Sequence, residues 1–246
     1  MGLSLDGSTA ERHDAIRNVP GCFDWTIRAV HQAAGLGLPL QVNTLVSSET
    51  ASDLPAMYDL LKASGVMRWS LFFLIAVGRG RVLQELSPEA GEQLMDWIYD
   101  LAQSAPFAIK TTEAPSYRRV ALNRMHAAGL RREEIHRSSL YRGFSVRDGH
   151  GIMFVSNTGE IYPAGFLPLA AGSVRHDHVV DVYRNAPVFR ALHDPHQFKG
   201  KCGHCEYRVL CGGSRARAYA HTGDPLESDP FCPYEPRRRS EPLAGV

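Results

Sequence analysis

The sequence predicts an α/β fold, a parallel sheet flanked by helices, followed by a small module built around a metal. Strand-like and helix-like apolar periods alternate from the N-terminus to about Gly80, and a nearly continuous apolar run spans residues 69–75. That run reads as a strand buried on both faces, and alternating strands and helices imply a parallel sheet. Four cysteines, confined to the stretch from Cys202 to Cys232, supply the metal-binding part of the expectation.

Leu3 and Leu5 end a short apolar segment at Asp6-Gly7, and residues 23–37 follow as a helix with Trp25, Ile27, Val30, Ala33 and Ala34 inward. Residues 39–46 are strand-like. A helix over 53–65 places Leu54, Met57, Leu60 and Leu61 on one face and stops at Gly65. The strand at 69–75 is bounded by Gly78-Arg79-Gly80. Residues 87–104 form the next helix, with Ser87 as N-cap, Pro88 at the first position, and Leu94, Met95, Trp97, Ile98 and Leu101 apolar. Residues 107–111 are a further strand. The segment 121–139, with Arg124, Arg131, Arg132, Glu133, Glu134 and Arg137, reads as a solvated linker. Residues 152–155 and 160–162 then alternate about Asn157-Thr158-Gly159 as a β-hairpin. The expected division is 1–140 for the sheet domain, 141–236 for the metal module and 237–246 for a tail, in which Arg237-Arg238-Arg239 is a solvated run.

Composition narrows the partners. Hydrophobic residues are 44% and charged residues 22% of 246, values typical of a globular chain. With 27 basic and 26 acidic residues the net charge is +1, which gives no electrostatic case for nucleic acid or an anionic membrane. The N-terminus lacks the basic flank and apolar run of a signal peptide, and no run reaches the ~20 apolar residues that cross a bilayer. A cytoplasmic protein acting on a small molecule, peptide or protein is expected. Five cysteines, four of them grouped, fit a reduced compartment and a metal site better than a disulfide framework.

The grouped spacing is Cys202-x2-Cys205-x5-Cys211-x20-Cys232, interleaved with Gly203, Gly212, Gly213 and Gly223. Four thiolates complete the ligand shell of an iron-sulfur cluster or of zinc, and spacing alone leaves both open. A redox Cys-x2-Cys would use only two of them. Arg208, Arg215 and Arg217 lie where they can offset the charge of a ligated centre. Cys22, distant in sequence, reads as a small buried hydrophobe, and His13, His204 and His221 as capping or surface histidines.

The run Lys201-Cys202-Gly203-His204-Cys205-Glu206-Tyr207-Arg208, continuing through Leu210-Cys211-Gly212-Gly213-Ser214-Arg215, Thr222-Gly223-Asp224-Pro225 and Cys232-Pro233-Tyr234, resembles the C-terminal SPASM or Twitch extension of radical S-adenosylmethionine (SAM) enzymes. Ser4-Leu5-Asp6-Gly7 with His13-Asp14 and Arg17 is similar to the fourth barrel strand and following loop of that superfamily. Phe72-Phe73-Leu74 to Val77-Gly78-Arg79-Gly80 resembles the sixth strand of the branch that includes tetrapyrrole-modifying members. The resemblance covers roughly Leu3 to Tyr234 and is weakest between Thr112 and Tyr141.

The resemblance implies a partial (β/α)6 barrel, about strands four to six with their helices, plus a small α+β SPASM/Twitch iron-sulfur domain. Family members carry Cys-x3-Cys-x2-Cys for the cluster that cleaves SAM, and this sequence has none. The chain therefore reads as N-terminally truncated, binding SAM only in a complete barrel, and as unable to cleave SAM alone. Its open sheet would invite aggregation or a partner. Arg215 stands where a second auxiliary cluster would take a cysteine, and Ala164 replaces another expected ligand, so one auxiliary [4Fe-4S] cluster is expected. By resemblance, Ser4 and Asn43 contact the SAM ribose or methionine moiety and Arg17 its carboxylate, with Asp6 and Arg79 also near strand ends of the SAM site. The full-length relative would generate a 5′-deoxyadenosyl radical to modify a peptide or tetrapyrrole-like substrate, aided by a separate N-terminal half or an electron donor protein. The alternative is a non-catalytic iron-sulfur or zinc-binding remnant or subunit acting in electron transfer or partner binding.

Overall fold

The computed structural model describes residues 1–138, 141 and 146–237, with the side chain of Arg79 outside that description. The end of the expected linker at Ser139 and the tail from residue 238 also lie outside the described residues. The chain divides into two compact units. One holds Met1–Leu86 and Asp96–Glu113, the other Ser87–Met95 and the described residues from Ala114 onward.

The first unit is built on four parallel strands in the order β1 (Gly2–Ser4), β2 (Gln41–Val46), β3 (Arg68–Phe73) and β4 (Ala108–Thr112). The α/β class with a parallel sheet, expected from the alternating periods, is thus what forms. Helices α1 (Ala10–Arg17), α2 (Cys22–Gly35) and α3 (Leu54–Lys62) fall between the strands, and α4 (Pro88–Ala102) precedes β4. Side chains alternate across each strand, so one face is apolar and carries Val42, Val46, Trp69 and Leu71, all buried. From α3, Tyr58 packs against Trp69 with ring centroids 6.4 Å apart, and Phe107 meets Trp69 edge-on at 6.5 Å. The Trp69 indole N–H donates to Thr44 Oγ1 at 2.8 Å, satisfying both groups inside this face.

The opposite face carries a polar row. Ser4, Asn43, Ser70 and Lys110 pair in register across all four strands and so form one row. The Asn43 carboxamide oxygen accepts from the Gln41 side chain at 2.8 Å. Ser70 is buried, and its hydroxyl has no hydrogen-bond partner among the described residues.

Three local expectations are corrected. Trp25 is 61% exposed, because five residues separate it from buried Val30 and turn it about 140° around the helix. The helix α1 went unanticipated because it has almost no apolar period. It is set by its ends, with Thr9 accepting from the Arg12 amide at 3.4 Å and Asn18 left-handed at φ 53°. The expected linker instead forms α5 (Tyr117–Ala127) and α6 (Arg132–Arg137). Val120, Ala121, Leu122 and Met125 of α5 and Ile135 of α6 are buried, and that apolar spacing outweighs the surrounding charge.

The second unit therefore takes in α5, α6 and the start of α4, so the expected boundary at 140/141 falls inside it. Its small antiparallel sheet runs β5 (Phe154–Val155), β6 (Glu160–Tyr162), β7 (Gly172–Ser173). Gly159, at φ 101°, allows the hairpin turn that the Asn157-Thr158-Gly159 sequence forecast. Ile161 of β6 packs with Val182 of α7 (Val179–Asn185) and Phe189 of α8 (Pro187–His193). Two further helices, α9 (Gly200–His204) and α10 (Arg215–Thr222), bracket the cysteine loops. Among the described residues no helix is long and apolar enough to cross a membrane.

Candidate metal centre

Cys202 lies in α9 and Cys205 directly follows it, so the Cys-x2-Cys pair is presented by one tight turn. The turn is pinned at its start, by the Lys199 amide donating to Leu226 O at 2.8 Å and the Lys201 ammonium donating to Cys232 O at 3.1 Å. Gly203 between the two cysteines has no room for a side chain, since a Cβ there would stand 2.1 Å from Phe198 O. Cys211 precedes two left-handed glycines, Gly212 at φ 69° and Gly213 at φ 67°, a conformation that folds the chain back over the sulfur. Ser214 then caps α10, its hydroxyl accepting from the Arg217 amide at 3.2 Å.

All four cysteines line one cavity of about 30 Å³, together with Arg119 and Tyr207. Each sulfur also receives an N–H donor. The Asp229 amide and Arg215 Nη2 both donate to Cys202 Sγ at 3.5 Å, the Tyr207 amide to Cys205 Sγ at 3.4 Å, and the Gly213 amide to Cys211 Sγ at 3.4 Å. Arg119 Nη2 donates to Cys232 Sγ at 4.0 Å. Donors aimed at sulfur favour the thiolate over the thiol. Burial acts the other way and pushes the thiols of Cys205 and Cys211 up to about 12. Burial also raises Cys232, against the lowering effect of Arg119. The chain must therefore give up thiol protons on binding a metal. Among the described residues no three His, Cys, Asp or Glu side chains close in tightly enough to hold a single ion.

The charge around the cavity differs from expectation in two respects. Arg215, fully buried, reaches Cys202 while donating to Pro225 O at 3.0 Å and Glu227 O at 2.7 Å. Arg217 pairs instead with Asp229 at 3.6 Å, and Arg208, which lines the cavity, reaches His196 at 3.3 Å. The guanidinium at Cys232 comes from Arg119, two residues before the segment read as a linker and not singled out from the sequence. Its position next to buried Val120 and Leu122 was the available signal.

Of the SAM-site candidates, Ser4 and Asn43 stand side by side in the polar row. Asp6 and Arg17 are brought together as an ion pair at 2.6 Å. His13, read as a capping or surface histidine, is buried and accepts the Asp6 amide on Nδ1 at 3.0 Å. Cys22 is half-buried rather than enclosed in apolar surroundings, and its thiol donates to Asp14 Oδ1 at 3.2 Å. It takes no part in the cysteine cavity.

No family model matches the chain. It is 37% identical over 244 residues to the AdoMet-dependent heme synthase of Methanosarcina barkeri, a match covering 97% of this chain and 68% of that protein. With the AdoMet-dependent heme synthase of Oleidesulfovibrio alaskensis it shares 33% over 241 residues, 96% of this chain and 62% of the relative. The chain thus spans about two thirds of the length of these curated relatives. Among solved structures, Streptococcus suis SuiB bound to its precursor peptide SuiA is similar with a TM-score of 0.67 at 15% identity, over 95% of this chain and 53% of that one. At that identity the likeness is one of fold.

Proposed function

Because the chain belongs to the family of AdoMet-dependent heme synthases, we propose that it serves an AdoMet-dependent modification of a tetrapyrrole, with Cys202, Cys205, Cys211 and Cys232 holding one auxiliary [4Fe-4S] cluster in a SPASM/Twitch-type module. The observation that carries this reading is the set of N–H donors on all four sulfurs around one cavity. Four cysteines lining one cavity supply the complete ligand set of such a cluster. When bound, such a cluster supplies one-electron chemistry.

The chain's own residues hold the ligands and the charge. The amides of Tyr207, Gly213 and Asp229 orient three of the sulfurs, and Arg119 and Arg215 bring positive charge to the remaining face. The ring of Tyr234 packs against Tyr207 at 5.5 Å, and both residues line the cavity. In the sheet unit, Ser4 and Asn43 of the polar row are the contacts for the AdoMet ribose or methionine moiety. Arg17, half-exposed while paired with Asp6, offers its remaining N–H groups to the methionine carboxylate. The family favours a tetrapyrrole over a peptide as substrate.

Anaerobic reconstitution with iron and sulfide, followed by metal counting and electron paramagnetic resonance, tests the centre. About four irons per chain, lost in Cys205→Ala, supports the assignment. Zinc uptake with no iron would overturn it and leave a structural metal module.

A further inference from the structure

Resting on the cluster reading above, the geometry points to Arg119 as the positioning residue that sets the reduction potential of that centre, with Glu92 as the carboxylate that holds it and opposes its charge. Arg119 Nη2 lies 4.0 Å from Cys232 Sγ, and its side chain is 3% exposed. Glu92, 27% exposed, grips both terminal nitrogens of the guanidinium at 2.7 and 2.5 Å. The Tyr234 ring covers the same group, with 4.8 Å from the guanidinium carbon to the ring centroid. Glu92, Arg119 and Cys232 thus form a row with the carboxylate as its outer member.

A guanidinium stays protonated in proteins, so Arg119 is a fixed positive charge beside a ligand sulfur. Away from water, such a charge acts more strongly than it would at the surface. Reduction of the centre adds one electron, breaks no bond and leaves one more negative charge at the sulfurs. Arg119 stabilises that charge and raises the potential. Glu92 is more solvated and one residue further out, and its negative charge works against the added electron. The two side chains therefore act with opposite signs, although they pack together. A structural role alone would give both substitutions the same effect, since each frees α5 from the same contact.

The test is a reductive titration of the reconstituted full chain with dithionite and mediator dyes, followed by electron paramagnetic resonance. Arg119→Gln is expected to shift the midpoint negative by at least a tenfold change in the reduced-to-oxidised ratio, about 59 mV for one electron. Glu92→Gln is expected to shift it positive, and Arg119→Lys to stay near the unsubstituted value. An unchanged midpoint in Arg119→Gln, or shifts of the same sign in Arg119→Gln and Glu92→Gln, overturns the assignment. Should Arg119→Gln take up no iron, Glu92→Gln decides: a positive shift supports the assignment and no shift overturns it. Failure of the unsubstituted chain to bind iron shows before any titration and overturns the cluster reading, and this one with it.

Discussion

Asp6 and Arg17 form an ion pair at 2.6 Å in which the carboxylate is 3% exposed and the guanidinium 39%. The second carboxylate oxygen accepts the Leu45 amide at 2.7 Å, so one side chain joins the end of β1 to β2 and to α1. Asp6→Ala leaves that amide without its acceptor and the arginine without its partner. The expected cost is about 1–3 kcal/mol. A lower urea midpoint at unchanged slope is the result to look for. A midpoint equal to that of the unsubstituted chain would show that water replaces the carboxylate.

His13 carries a pH dependence. Burial lowers its pKa below the ordinary 6.5, against the raising effect of Asp6, and its Nδ1 is occupied by the Asp6 amide. A depressed histidine pKa means that the folded state disfavours the proton. The associated stability is present above about 6.5 and is lost as the pH falls through and below that value. Melting temperatures recorded between about pH 8 and 5 should drop more steeply in the unsubstituted chain than in His13→Gln. Parallel curves would remove His13 from the account.

Gly203 is a steric requirement of the cysteine turn. A Cβ at that position meets the Phe198 carbonyl oxygen at 2.1 Å and its carbon at 2.8 Å, and both are backbone atoms that cannot rotate away. Gly203→Ala must displace α9 and with it Cys202 and Cys205. Iron uptake after reconstitution should fall well below that of the unsubstituted chain, with far-ultraviolet circular dichroism largely retained. Full uptake would mean that the turn tolerates the shift.

The two classes of cysteine should separate cleanly. Cys211 is buried, with the Gly213 amide on its sulfur, whereas Cys22 bonds Asp14 far along the chain. Cys211→Ala is expected to lose the iron signal, and Cys22→Ser to keep it, since a hydroxyl can still donate to Asp14. Iron loss in Cys22→Ser would require a different ligand set.

Much of the sheet could be read from the chain because apolar periodicity reports burial directly. The run around Trp69 became β3, and Leu54, Met57 and Leu61 became the buried stripe of α3. Where side chains were charged, the same logic misled. The segment 121–139 reads as solvated from its charge density, yet Ala121, Leu122, Met125 and Ile135 are buried, and Arg119 just before it is buried with Glu92 within hydrogen-bond reach. The parallel case is α1, whose capping by Thr9 and Asn18 leaves no periodic trace.

By itself the sequence determined the alternation of strands and helices, the spacing of four thiols, and the glycines that let the chain turn tightly around them. These are local properties, set by side-chain period, ligand type and backbone freedom. Tertiary structure alone decided which charges face the sulfurs and which polar residues share a row. Arg119 and Cys232 are 113 residues apart, and Ser4, Asn43, Ser70 and Lys110 come from four strands. Electrostatic coupling depends on distance through space and on exclusion of water, and neither quantity is carried by order along the chain.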